Sequence, residues 1–449
     1  MPKALLQEDE LIWPSLPFVS VIILNYNTCE YLETCFHSLQ QLVYPVDRLE
    51  LILVDNASTD QSVAYVQAHF ANIKLIVNDK NYGFSRGNNI GAGKATGELI
   101  AFLNPDMRVE PRWLIELVKL LLTDAKAAAA GSKILSWDGK QIDFAGGAAN
   151  FYGYGYQVGW GQEATVAFDQ AKPTLFACGG AMLIHRHLFL EVGGFDEDFF
   201  AYYEDLDLGW RLWVLGYKVL LAPASITYHH HHGSWKKVDS EKRRVLYERN
   251  AFFTMLKNYD EINLNKVLPA ALLLLLKRIY LAAGIDDDLF RLGIQFQTWE
   301  ASSASAAPQS KNVASAYISS YYLKEAWRTL INDGPGPLYA KFKAELTRRR
   351  QTRLRTQLPG RMQIDPNLPD KALIPTQALS YVVAGNDIIS LYEKMLKKRA
   401  FIQARRRRSD GEILNLFGQA LDFSELWPEY KQTQTYLTHL FGIDTIFES

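Results

Sequence analysis

The 449-residue chain has only three cysteines, Cys29, Cys35 and Cys178. That number excludes a fully paired disulfide framework and suits a reducing compartment, where buried cysteine acts as a small apolar residue. Net charge is also missing: 48 Lys and Arg against 49 Asp and Glu leave −1, which excludes the strongly basic balance of a nucleic-acid binder. The longest apolar run, 267–276, is closed at once by Lys277 and Arg278. It falls well short of the roughly 20 residues of a membrane span and reads as a buried or interfacial helix. The opening MPKALLQEDELIWPSLP carries acids and prolines where a signal peptide needs an apolar core, so the expected location is cytoplasmic. Neither a Gly-x-Gly-x-x-Gly fingerprint nor a P-loop follows a strand. The nearest pattern, Gly83-x-x-x-Gly87-x-x-x-Gly91, has the wrong spacing for both, which counts against a nucleotide-dependent oxidoreductase.

What is present is a strand–helix alternation beginning at Phe18. Apolar, β-branched runs at 19–24, 49–54, 73–77 and 99–103 predict strands. Helical patterns fall at 30–42, 62–69 and 87–96. Such alternation predicts a mostly parallel sheet covered on both faces, with ligands beyond the carboxyl ends of the strands. Each strand ends there in polar residues: Asn25 after the first, Asp55 after the second, Asn104-Pro105-Asp106 after the fourth. From about 247 helical patterns dominate, with basic clusters at 348–350 and 405–408 and a Ser/Ala-rich stretch at 301–307 that reads as a loose linker. The predicted organisation is an N-terminal arm at 1–16, an α/β domain at 17–255 and a helical region at 256–449.

Several residues carry chemistry in this pattern. Asp55 is placed to accept hydrogen bonds from a nucleotide, although an Asx turn into Ser58 is the commoner use of such an Asp. The stretch Asn81 to Gly91 combines Asn81, Gly83 and Asn89 with glycines that would let backbone N–H groups approach a phosphate before a helix; a glycine-rich turn and a packed helix explain it equally well. Asp106 offers a hard oxygen for Mg²⁺ or Mn²⁺, or else a helix cap. Between Gly193 and Arg211, six acids stand among aromatic residues. On a helix from Glu204, Asp205 heads an otherwise apolar face, as a cap or a group aimed into a cavity, and the helix N-terminus would keep it ionised as a general base requires. Asp207 and Arg211 form an i,i+4 pair that reads as a surface ion pair. One of the histidines 229–232 could complete a site with Asp106, and alternate side chains of an extended run point apart.

Taken in order, VSVIILNYN, LVDNASTD, NDKNYGFSRGNN, IAFLNPD, CGGAMLIHR, VGGFDEDFFAYYEDLDLGWR and YHHHHGS resemble the family 2 inverting glycosyltransferases, rhamnosyltransferase-like branch, over about 19–234. The resemblance implies an α/β GT-A fold: a Rossmann-like mixed, mostly parallel sheet that forms a nucleotide-diphospho-sugar transferase domain, with the mainly helical C-terminal region after it. It implies a nucleotide-diphospho-sugar donor, a divalent metal (Mg²⁺ or Mn²⁺) and a saccharide or lipid-linked saccharide acceptor of a growing glycan. Asp55 would contact the donor base, with Asn25, Asn81, Gly83, Asn89 and Asn104 nearby. Asp106 matches the last acid of the DXD motif, whose first acid is Asn104 here, and His229 would join it at the metal, with Ser234 five residues on. Gly179 and Gly180 match a turn on the acceptor side. Asp205 matches the base of the ED motif, and Glu204 would help place the acceptor. Arginines 348–350 and 405–408, with the apolar run at 267–276, raise a peripheral membrane contact. The alternative is a non-catalytic sugar-nucleotide-binding or scaffold protein on the same fold.

Overall fold

The computed structural model describes residues 16–230, 239–285, 375–421 and 427–447. One compact unit comprises 1–285 and 374–449; the other, 286–373, lies outside the described residues, as do the expected linker at 301–307, Arg348 to Arg350, and most of the N-terminal arm.

The first half of the sheet is the predicted parallel one. β1 (Val19–Asn25), α1 (Cys29–Gln40), β2 (Leu49–Asp55), α2 (Ser62–His69), β3 (Lys74–Val77), α3 (Gly83–Lys94) and β4 (Leu99–Leu103) succeed one another along the chain. β1 lies between β2 and β4, and β3 flanks β2, all parallel. β1 and β4 are buried almost throughout, which is why they read as continuous apolar runs rather than alternating ones. After β5 (Met107–Val109) and α4 (Trp113–Leu122), the sheet turns mixed through β6 (Ala127–Ser136), β7 (Ile142–Phe144), β8 (Gly147–Ala149), β9 (Gly155–Gln157), β10 (Lys172–Pro173) and β11 (Ala181–His185). β11 runs antiparallel between β4 and β6. Then come α5 (Arg186–Glu191), α6 (Glu204–Val214) and β12 (Lys218–His229), the last parallel to β6 and antiparallel to β5. This is the GT-A arrangement, its parallel strands confined mainly to the first half.

α3 starts four residues before its predicted boundary, at Gly83, because its glycines are a packing stripe. A Cβ at Gly87 would lie 2.5 Å from Leu24 Cδ1, and one at Gly91 would lie 2.7 Å from Ile22 Cγ2. One glycine per turn lets the helix backbone press onto β1 and β2. Gly87→Ala is therefore expected to destabilise the chain by about 1–3 kcal/mol through overpacking, measured by urea denaturation.

Helices follow: α7 (Ser240–Asn258), almost wholly inside the expected 17–255 domain, then α8 (Glu261–Ala283), α9 (Thr376–Gln403) and α10 (Pro428–Leu440) of the helical region. α9 packs along α7 and α8, and α7 packs against α6. No helix among the described residues is long and apolar enough to cross a membrane. The 267–276 run is half interfacial, as expected: Val267, Leu268, Ala270, Ala271, Leu274 and Leu275 are buried, while Leu272, Leu273 and Leu276 face outward. The cluster at 405–408 is less available than its charge suggests. Arg406 bonds Asp410 and the Asn258 carbonyl, and Arg408 bonds the Gly216 and Tyr217 carbonyls. Arg406 ties the end of α9 to the end of α7, and Arg408 ties it to the α6–β12 turn.

Candidate active site

The carboxyl ends of β1, β2 and β4 carry one polar edge. At β1 and β2, Asn25 Nδ2 donates to Asp55 Oδ1 at 2.7 Å and to Ser58 Oγ at 2.9 Å. The other Asp55 oxygen accepts from the Ser58 N–H at 2.8 Å, and the Ser58 hydroxyl donates to Oδ1 at 2.6 Å. Asp55 is fully buried, so it shapes the 55–58 turn from inside rather than presenting an open carboxylate. Asn81 Oδ1 accepts from the Gly83 N–H at 2.8 Å and binds Asn56 at 3.3 Å, which sets the head of α3. Gly83 needs its glycine: φ is +79°, and a Cβ would meet Phe200 at 2.5 Å. Asn89 faces away from this edge. Its amide pairs with both backbone groups of Phe195, at 2.8 and 3.0 Å, and pins the 194–197 loop to α3.

At β4 the Asn104-Pro105-Asp106 turn leads into β5 rather than capping a helix. Asp106 is 2% exposed. His229, the last residue of β12, brings Nε2 to 3.6 Å from Asp106 Oδ1 while its Nδ1 lies 2.6 Å from Asp143 Oδ2. Burial alone would lower the imidazole pKa, but Asp106 and Asp143 together push it up to about 10. His230 turns the other way, its ring 5.2 Å from those of both Tyr31 and Trp137. Of the two described histidines, His229 brings its ring to the Asp106 carboxylate, while His231 and His232, like Ser234, lie outside the described residues. A cavity of about 220 Å³ opens here, lined by Tyr31, Thr34, Asp106, Trp137 and His230.

The Gly179–Gly180 turn joins this edge to α6. A Cβ on Gly180 would lie 2.6 Å from Asn104 Nδ2, and the Asn104 N–H donates to the Gly180 carbonyl at 2.9 Å. The Gly179 N–H donates to Asp205 Oδ2 at 2.9 Å, and the Leu206 N–H donates to Asp205 Oδ1 at 2.8 Å. The adjacent Glu204 is 6% exposed, and its Oε2 has no hydrogen-bond partner among the described residues.

Residues 20–193 match glycosyl transferase family 2. This part of the chain is a family 2 glycosyltransferase domain. Among curated proteins, the chain is 30% identical over 228 residues to the O-antigen biosynthesis protein RfbC of Myxococcus xanthus, covering 49% of this chain and 18% of that protein. It is 27% identical over 233 residues to the N-acetylglucosaminyl-diphospho-decaprenol L-rhamnosyltransferase of Mycobacterium tuberculosis, covering 47% of this chain and 75% of that protein. Among solved structures it resembles GalNAc-T7 with UDP, GalNAc and Mn²⁺, at 20% identity and a TM-score of 0.46 over 57% of this chain and 51% of the other. The chain spans about a third or less of the length of the first curated relatives it matches.

Around the family 2 domain, two expectations about α6 are corrected. The helix N-terminus, expected to keep Asp205 ionised, does not hold Asp205 in the ordinary carboxylate range. Burial raises Glu204 well above its usual value, with Asp205 beside it adding to the rise. Asp205 is also raised by burial, partly offset by the N–H groups of Gly179 and Leu206. Asp205 accepts from two backbone N–H groups, so burial raises it less than it raises Glu204. Asp207 is not a surface ion pair: it is fully buried, 2.7 Å from Arg211 and 2.8 Å from Lys257. Burial would raise it, but these two cations hold it below its usual range.

Sequence reasoning missed Asp143, Lys257, Arg249 and Asn250. Asp143 sits on β7 in no motif, 86 residues from His229, and only the closure of β6 against β7 and β12 brings the two together. A cavity of about 880 Å³, lined by Asn81, Tyr82, Arg86, Phe200, Lys397 and Phe401 among others, opens between the head of α3 and α9. It touches none of Asp55, Asp106 or Asp205, so the smaller cavity at Asp106 is the one beside the candidate chemistry.

Proposed function

We propose that the chain is an inverting glycosyltransferase that moves a sugar from a nucleotide-diphospho-sugar to an acceptor hydroxyl of a growing glycan or lipid-linked saccharide. The observation that carries this reading is the Gly179–Gly180 turn. It holds the Asp205 carboxylate by a backbone N–H on one side and packs against Asn104 on the other, next to Asp106 and His229. This arrangement supports a base on one side of the turn and an anion-side site on the other, as in-line displacement requires.

Asp205 takes the proton of the acceptor hydroxyl, and that oxygen attacks the anomeric carbon opposite the diphosphate. Glu204 beside it, its carboxyl raised well above the usual range by burial, orients the acceptor. Asn25, Asp55 and Asn81 support the donor edge through their turns. Asp106 Oδ1 and His229 Nε2, 3.6 Å apart, would hold Mn²⁺ or Mg²⁺ once His229, whose pKa the two aspartates push up to about 10, gives up its proton as the cation enters. Among the described residues no three His, Cys, Asp or Glu side chains cluster as a metal cage, so the donor diphosphate and water would have to supply the other ligands. A bound divalent cation supplies charge neutralisation to the departing nucleotide. The rhamnosyltransferase named above supports rhamnose as the sugar.

The test is a thermal-shift screen of UDP-, dTDP- and GDP-sugars with and without Mn²⁺ or Mg²⁺. A metal-dependent rise with one nucleotide is expected; its absence with all of them would overturn the donor assignment. Asp106→Ala is expected to abolish the metal-dependent part of that rise while leaving the unliganded melting point within a few degrees. The outward leucines of α8 and Arg405 support a peripheral membrane contact. Co-sedimentation with anionic vesicles at low salt is expected, and none would remove it.

A further inference from the structure

The backbone that leads into α6 is strained. Phe200, Tyr202 and Tyr203 have φ of 65°, 72° and 65°. Such a conformation is unfavourable for a side-chain-bearing residue and persists only where its surroundings over-determine it. The strained residues directly precede Glu204 and Asp205.

The determinants come from α7 and α9, outside the family match. Asn250 of α7 is fully buried. Its side-chain nitrogen faces three carbonyls, those of Phe199 at 3.0 Å, Ala201 at 2.9 Å and Tyr202 at 2.8 Å. An amide nitrogen has two hydrogens, so one of them is shared. Next to it, Arg249 Nη2 donates to the carbonyls of Asp198 and Phe199, both at 3.0 Å. Lys394 of α9 pairs with Asp198 at 2.6 Å, and Lys398 reaches both Asp196 and Asp198. On its opposite side the same loop touches the donor edge: the Phe200 carbonyl accepts from the Ser85 N–H at 3.1 Å, over Gly83. The 196–203 segment is therefore gripped by α7 and α9, leans on the head of α3 and delivers the two carboxylates of α6.

We propose that Asn250 and Arg249 are positioning residues for the general base. They hold 198–203 in a conformation it would not adopt alone, and this fixes Asp205 against the Gly179 N–H. On this view α7 is part of the catalytic apparatus. The proposal rests on the assignment of Asp205 as base.

The test uses the full chain carrying Asn250→Asp, which keeps the volume but removes the donors, with Arg249→Met as a second variant in case the first does not fold. Hydrogen exchange is monitored at Gly179 and 199–206, and nucleoside diphosphate release is measured from the UDP-, dTDP- or GDP-sugar that shifts the melting point. Exchange at these amides is expected to rise about tenfold or more, with no change in β1 and β2. Turnover is expected to fall about 10–100-fold, as a misplaced group would cause, while the apparent donor affinity stays within about twofold. A merely structural role would lower turnover only in proportion to the folded fraction. That result, or unchanged exchange at Gly179 and 199–206, would overturn the proposal. Turnover retained by Asp205→Asn would instead overturn the base assignment, so the two failures are separately visible.

Discussion

Asp205→Asn is expected to lower turnover by about 10²–10⁴-fold, the usual contribution of a positioned general base, while the nucleotide- and metal-dependent thermal shift persists. The substitution keeps the shape and the acceptor oxygen but removes the proton-accepting charge. Because burial raises both Glu204 and Asp205, the acidic limb of the rate profile should lie above the ordinary carboxylate range, with turnover lost as pH falls through it. The stability consequence has the opposite sense. A carboxylate with a raised folded pKa binds its proton more tightly folded than unfolded, so its contribution is present at low pH and is lost as pH rises through the raised value. Glu204→Gln should therefore raise the melting point at neutral pH while lowering turnover. Unchanged turnover in Asp205→Asn would remove it as the base; a lower melting point in Glu204→Gln would contradict the buried, unpartnered Oε2.

Lys257→Met should cost about 3–5 kcal/mol, the penalty for breaking a buried ion network by removing one partner. Lys257 Nζ lies 2.6 Å from Asp196 Oδ2 and 2.8 Å from Asp207 Oδ1, with all three side chains under 5% exposed. Without the ammonium, the two carboxylates are left buried near each other. Arg211 still pairs with Asp207, and Lys398 with Asp196, which keeps the loss from being larger. A pH dependence accompanies this: Lys257 and its companion cations hold Asp196 and Asp207 below their usual range, so the stabilisation is present at neutral pH and is lost as pH falls through the depressed values. Urea denaturation at pH 7 and pH 2 reads both effects. A loss under about 1 kcal/mol at pH 7 would show that the network contributes little. Asp207→Asn together with Lys257→Met should recover part of the loss, since one stranded charge is gone.

The sequence by itself determined the parallel half of the sheet and the identity of its polar edge. β1, β2 and β4 are local apolar runs long enough to bury, and the polar residues at their carboxyl ends are plain from the order of the chain: Asn25, Asp55, Asn104 and Asp106. The sequence also placed Asp205 near a helix head, since the helical period from Glu204 to Arg211 is a local property. Tertiary structure decided the rest, because burial and partnership come from segments distant in the chain. The glycines of 83–91 look alike whether they cradle a phosphate or press a helix onto β1; only the positions of Leu24 and Ile22 choose the second. Asp207 reads as a surface acid until Lys257 arrives from 50 residues away. His229 is one of four equivalent histidines until β7 supplies Asp143. Asn250 carries no motif at all, because its role is to satisfy backbone carbonyls, which every residue has and no sequence pattern marks.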